Sequence, residues 1–252
     1  MHVVHLGFQS VKGTRHLPRD EVVLDERGPV GDRAFAVVDV ERRRLLRTLS
    51  HRTLVAVQAR WDGDVLELEL PNGEQVSAPA PPTGETVTCE YWGRTITHSL
   101  TDGPHSDLLS AHLGRPVRLV AAPRGGGVYG APVSILTTAS LRDLGERTGR
   151  ADLLESVSRF RMTMTLDVGE TPYVEDSWFG RDLRIGEAVV RVRAAVGRCG
   201  QIDMDPATGA KDGSLLKVLA GYRPTSGGEP WFGVDAEVVL PGRVRLGDPV
   251  DL

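Results

Sequence analysis

Cys199 is the side chain with the most chemistry to offer. It stands where an apolar, strand-like run, 188–196, gives way to a turn-rich stretch, 203–209, with Arg193 and Arg198 close by in sequence. Cationic neighbours favour the thiolate, the form that binds soft metals or attacks electrophiles, and a small buried thiol is the alternative. Cys89 falls inside a strand pattern and reads as packing. Two cysteines give no disulfide framework, and without a Cys-x-x-Cys pair neither structural zinc nor a four-thiolate cluster is expected. The seven histidines show no metal-ligand spacing. Glu175 and Asp176 are adjacent, so an extended chain points them apart, and they read as structural or capping groups. Only Lys12, Lys211 and Lys217 of the 30 basic residues are lysine. For Lys12 a solvated loop position, for Arg33 an exposed turn, and for Arg161 a pair with Glu155 or Asp152 are the plain structural readings.

Such residues need a scaffold, and 252 residues allow one large domain or two modest ones with a real core. Thirty-four acidic against 30 basic side chains leave a net charge of −4, which disfavours nucleic acid as a partner. No run approaches the roughly 20 apolar residues of a membrane span, and the segment 1–10 has neither a basic leader nor a long apolar block. The expectation is a cytoplasmic protein with no membrane partner.

Short alternating runs fill the first hundred residues: 1–8, 21–26, 33–40, 43–49, 53–61, 64–71, 74–79, 86–92 and 94–100. Asp62-Gly63 and Asn72-Gly73 are two-residue hairpin turns. This predicts an antiparallel barrel or sandwich. Beyond Thr101 the period changes: a helix starts at Ser106-Asp107 and ends at Gly114, and a boundary is placed near residue 104. Strands at 116–122 and 132–138 follow, with a Gly-rich loop, 124–127, between them. A helix after Thr138 is expected with a capping-box variant at Ser140 and Asp143, then a helix over 152–160. Strands near 162–168, 183–186 and 188–196, a helix over 214–221, and strands at 232–240 and 243–250 complete the reading.

Several segments carry a resemblance. Arg198 to Gly209, Arg-Cys followed by Asp-Pro-Ala-Thr-Gly, resembles the cysteine motif of MOSC domains. Ser158-Arg-Phe-Arg161, Tyr173 to Trp178, Ile185-Gly186 and Ser134 to Leu141 resemble further segments of that family. Ser10-Val-Lys-Gly13 and Gly31-Asp-Arg-Ala-Phe35 are similar to motifs of its N-terminal β-barrel domain. The match runs in order along nearly the whole chain and is most like the mitochondrial amidoxime-reducing component family.

The resemblance implies a mostly β protein with α+β elements: an N-terminal β-barrel-like domain, 1–104, then a MOSC β-barrel domain with peripheral helices, 105–252. It implies a molybdenum cofactor (molybdopterin), with Cys199 as catalytic residue and metal ligand. Lys12 and Arg33 would grip the terminal phosphate, the amides of Thr138, Ala139 and Ser140 would face an anion or the pterin edge, and Arg161 and Thr163 would contact the pterin. His51 lies where relatives place loop residues near the cofactor. The family's description often includes pyridoxal phosphate binding as well. Gly13 replaces the motif serine, and Met162-Thr163 replaces Pro-Asn. The implied activity is reduction of N-oxygenated small molecules, with electrons from a separate donor protein. The alternatives are a carrier of cofactor or of sulfur on Cys199, or a cofactor-free biosynthetic enzyme.

Overall fold

The computed structural model describes residues 1–91, 93–128 and 130–252. The expected strand run 86–92 ends on Trp92, which lies outside the described residues.

Two sheets that curl on themselves hold most of the strand residues of a chain that is mostly β, as expected. In the first, the alternation of 33–40 and 86–100 is realised as a closed barrel of Phe35–Asp39, Arg44–Leu45, Pro82–Tyr91, Arg94–Thr101 and Arg118–Ala121. Cys89 faces its interior at 1% exposure, packed with Val38, Val87 and Val120, so this thiol is indeed packing. The Asp-Gly and Asn-Gly turns join a separate three-stranded meander, Gln58–Trp61, Val65–Glu69 and Gln75–Pro79. Asp62 Oδ1 accepts from the amides of Asp64 and Val65 at 2.9 and 2.8 Å, which is why that turn forms.

The second sheet has nine strands. Its centre is the buried set Ile135, Met164, Val190, Val192, Val234 and Ala236, drawn from strands that read as apolar runs in the sequence. An isolated bridge from His2 to Pro249, and the bonds Val3 N to Asp248 O and Val250 N to Met1 O at 3.0 and 2.9 Å, bring the last strand back to the first. The sheet therefore curls into a second barrel-like body.

Chain order and spatial order differ at both ends. His2–Phe8 pairs with Met164–Asp167 and so belongs to the second sheet, while Glu21–Asp25 pairs with Gly242–Arg245 in a separate three-stranded sheet. The first barrel closes only with Arg118–Ala121, and helix α1 (His105–Leu113) buries Leu109 against Val11, Phe35 and Leu54. The strand that completes the first barrel, Arg118–Ala121, comes after the expected boundary near 104.

Local expectations meet three corrections. Residues 52–56 form a 3-10 turn instead, with Leu54, Val55 and Ala56 buried. The helix expected over 152–160 is two short 3-10 turns, Ala151–Leu153 and Val157–Phe160. Helix α2 (Thr138–Thr148) is capped by Thr137, whose hydroxyl accepts from the Ser140 amide at 3.3 Å, and Asp143 instead pairs with Arg147. Gly114 and Gly149 end α1 and α2 in left-handed geometry.

Candidate functional site

The strand Ala188–Gly197 ends two residues before Cys199, and the chain then turns through a 3-10 segment, Gly200–Asp203. The thiol is free and half-buried. Residues 205–210 form the tight turn that the Asp-Pro-Ala-Thr-Gly sequence dictates: Asp205 Oδ1 accepts from the amides of Ala207 and Thr208 at 2.6 and 3.2 Å. Gly209 has φ +73°, and a Cβ there would come within 2.1 Å of the Arg52 carbonyl. Only glycine lets the turn press this closely on the 52–56 segment. Arg15 adds a tie, donating through Nη2 to the Ala207 and Ala56 carbonyls at 2.6 and 3.2 Å.

Beneath this loop lies Arg159, which the sequence reading did not single out. It is 3% exposed and makes a two-pronged pair with Asp212, 2.6 Å to Oδ1 and 2.7 Å to Oδ2, while Nη1 also donates to the Ile202 and Met204 carbonyls. The planar guanidinium fork suits this arrangement. Arg198, also buried, donates to the Phe160 carbonyl at 2.6 Å. Arg193 points elsewhere, to Glu237 at 3.1 Å, so of the two arginines near Cys199 in sequence only Arg198 shares its surroundings.

Arg161 reaches the same place from the other side of the fold. Its Nη2 donates to Gln9 Oε1, and Gln201, turned with its oxygen toward Arg161, accepts from Nε at 2.9 Å. It pairs with neither Glu155 nor Asp152; Asp152 is held by Arg150 at 2.7 Å. Next to it are Lys12 and Arg33. The Lys12 Nζ donates to Tyr91 Oη at 2.7 Å and to the Gly127 carbonyl at 2.8 Å, and Arg33 pairs with Asp32 at 2.9 Å. A Cβ on Gly127 would lie 3.2 Å from the Arg33 Cβ, so the Gly-rich loop closes over both cations.

Electrostatics bind these side chains into one cluster. Burial, reinforced by Arg33 and Arg161, pulls the Lys12 ammonium down to about 7 against the opposing pull of Asp32. Arg161 is lowered to about 9 by burial and by Arg33, with Asp32 and Cys199 counteracting. Cations gathered this way, with Asp32 opposing them, make a site suited to an anion. Arg33 and Arg161 both hold left-handed backbone, φ 47° and 55°, a conformation that costs a non-glycine residue on the order of 1 kcal/mol. That strain falls on two of the cations that define the cluster.

The remaining expected residues are placed differently. Thr137 Oγ1 and Ser140 Oγ donate to the two oxygens of Glu175, at 2.9 and 2.8 Å, and Glu175 is fully buried. The Glu175 carboxylate thus holds two hydroxyls at the start of α2, and Thr138 Oγ1 donates to Asp167 at 3.3 Å. Burial pushes the Glu175 carboxyl up. Asp176 faces away, to Arg223 at 2.5 Å, so the adjacent acids have separate structural roles. Thr163 accepts from the Ser134 amide at 3.1 Å and does not join the cluster. His51 contacts the Arg47 carbonyl at 3.3 Å and Arg115 at 3.4 Å, while nearby Leu49 packs on Gly200, 3.7 Å from a Cβ built there. Among the described residues no group of three or more His, Cys, Asp or Glu could hold a metal ion. Gln9, Tyr91, Arg159 and Gln201 were not legible in sequence, since each acts through a partner far along the chain.

The MOSC domain family profile matches residues 110–251. Human mitochondrial amidoxime-reducing component 1 is 26% identical over 99% of this chain and 82% of its own length. A molybdenum cofactor sulfurase from Caenorhabditis elegans is 26% identical over 88% of this chain, which corresponds to 31% of that protein. The YUAD protein from Bacillus subtilis is structurally similar at a TM-score of 0.48 and 12% identity, covering 98% of this chain and 92% of that one.

Proposed function

The chain belongs to the MOSC domain family, and from that premise we propose that it is a molybdenum-cofactor oxidoreductase that reduces N-oxygenated small molecules. Its similarity to proteins named for amidoxime reduction and for cofactor sulfuration supports a function tied to that cofactor. The observation that carries the reading is the convergence of Lys12 and Arg33, from the amino-terminal half, with Arg161, whose charge is felt together with that of Cys199.

The donor set fits such a group. A half-buried free thiol is a soft ligand for molybdenum, and cations opposed by Asp32 suit a phosphate-bearing pterin. When bound, the cofactor supplies two-electron oxygen-atom transfer. The chain supplies position and charge. Cys199 is the ligand, held at its loop by Arg159 and by the 205–210 turn. Lys12 and Arg33 hold the phosphate end, Lys12 as a point charge steered by Tyr91 and Gly127 and Arg33 as a fork. An arriving anion favours the protonated Lys12 Nζ, so binding draws a proton onto that nitrogen. Arg161, tied to Gln9 and Gln201, orients the ring system.

A separate electron-donor protein and a cytoplasmic location complete the proposal. Among the described residues no helix is long and apolar enough to cross a membrane. Pyridoxal phosphate forms no part of it. The test is reduction of benzamidoxime and of a hydroxylamine by protein made in a cofactor-competent host, with reduced methyl viologen as electron source. Turnover by the wild type and none by Cys199→Ala is expected. Equal turnover by both would remove Cys199 from the metal.

A further inference from the structure

We propose that the exposed, arginine-rich segment 41–52 is the docking surface for an acidic one-electron carrier protein, which delivers reducing equivalents to the site it borders. The inference rests on the reductase reading and adds to it the place and the charge of the donor.

Positive charge is concentrated here against the trend of the chain. The segment holds Arg42, Arg43, Arg44, Arg47 and Arg52 against the single acid Glu41, leaving 25 basic and 33 acidic side chains elsewhere. All five arginines are exposed. Buried Asp39 offsets part of this charge: it lies 3.9 Å from Arg42 and also pairs with Arg115. The exposed acid Glu90 stands opposite Arg44 in the strand ladder. Among the described residues Arg43, Arg44 and Arg52 make no ion pair, so their charge is open to a partner. Leu49, between Arg47 and Arg52 in sequence, is 45% exposed and gives the patch an apolar anchor of the kind that polar rims surround at interfaces.

Position decides the kind of partner. Leu49 Cδ2 lies 3.7 Å from a Cβ built on Gly200, the residue after Cys199, and Thr48 Oγ1 lies 3.6 Å from one built on Gly13, the residue after Lys12. Arg115 holds Asp39 and contacts His51 Nε2 at 3.4 Å, which ties the 39–44 turn to the 47–52 loop. The arginine surface therefore borders both the cysteine loop and the Lys12 loop. Reduction at that site consumes electrons: R–NH–OH + 2 e⁻ + 2 H⁺ gives R–NH₂ + H₂O, so a one-electron carrier docks twice per turnover while solvent supplies the protons. Opposite charge on the two partners raises the rate of such encounters by about 10-fold or more. A nucleic acid or an anionic membrane would match the charge but bring no electrons.

The test is a calorimetric titration of the full chain, isolated without cofactor, with an acidic two-iron plant-type ferredoxin, and with basic cytochrome c as the control carrier. Ferredoxin should bind, and its affinity should fall about 10-fold between roughly 20 and roughly 200 mM salt. Arg43→Glu with Arg52→Glu should weaken binding by about 10-fold or more. Arg243→Glu with Arg245→Glu, an equal change of charge on the strand paired with Glu21–Asp25, should leave it near wild type. In protein from a cofactor-competent host, the Arg43, Arg52 variant should lose ferredoxin-driven reduction of benzamidoxime by a similar factor and keep reduction driven by methyl viologen, a small donor that needs no docking surface. Absence of viologen-driven turnover in the wild type would contradict the reductase reading, while the titration still decides the surface. No ferredoxin binding at low salt, equal weakening by both pairs of substitutions, tighter binding of cytochrome c, or tighter binding to anionic vesicles or to a DNA duplex than to ferredoxin would each overturn the proposal.

Discussion

Arg161 donates to the side chain of Gln9 across 152 positions of sequence. This contact joins the strand end that carries Lys12 to the segment that faces Cys199. It makes the cation cluster a property of the whole chain, since Gln9 also takes up Arg33, whose amide donates to the Gln9 carbonyl at 2.7 Å.

Lys12 should behave as a buried amine with a measurable titration. Its value of about 7 lies below the unfolded 10.5, so the unfolded chain binds more protons between these limits. The cost of burying the charge is therefore full below about pH 7 and is relieved as pH rises toward 10.5. Lys12→Met should gain most in denaturation midpoint over wild type at pH 6, with the gain shrinking by pH 9. A pH-independent difference would mean that Lys12 is solvated.

Asp212 neutralises the buried Arg159. Its carboxyl is lowered chiefly by the hydrogen bond from Arg159, so its contribution is present above the ordinary carboxylate value and is lost as pH falls through the lowered one. Asp212→Ala leaves a buried guanidinium short of its partner. The expected loss is roughly 3 kcal/mol, at the low end for breaking a buried pair because Asp212 is partly exposed. Urea denaturation reads it, and a loss below about 0.5 kcal/mol would show that the pair does not hold the cysteine loop.

Glu175 holds the start of α2 as a buried carboxyl raised by burial. A raised acid stabilises below its unfolded value and loses that contribution as pH climbs through the folded one. Glu175→Gln keeps the shape without the titration, so its stability relative to wild type should improve from pH 4 to pH 7. The opposite trend in thermal melts would mean that the helix end favours the charged form.

The sequence made the strand and turn chemistry readable because those are local: Asp62-Gly63, Gly114 and the Asp205 turn announce themselves within a few residues. Lys12, Arg33, Arg161 and Cys199 could be singled out from motifs, though not their mutual contacts. What stayed hidden was long-range. Arg159 looks like any surface arginine until Asp212 and two carbonyls surround it. Nothing near α2 in sequence announces that Glu175, 35 residues after Ser140, accepts from the Ser140 hydroxyl. The boundary near 104 followed a change of period, but barrel closure is decided by strand pairing, and the closing strand is Arg118–Ala121.

The central claim is that Lys12, Arg33 and Arg161 gather beside Cys199 to hold a phosphate-bearing molybdenum group. Elemental analysis of the purified full chain from a cofactor-competent host tests it most directly. Wild type should contain molybdenum approaching one atom per chain, and the Lys12→Met, Arg33→Met double variant, folded by circular dichroism, should retain a small fraction of it. Wild-type protein free of molybdenum, or a double variant loaded as fully as wild type, would contradict the account.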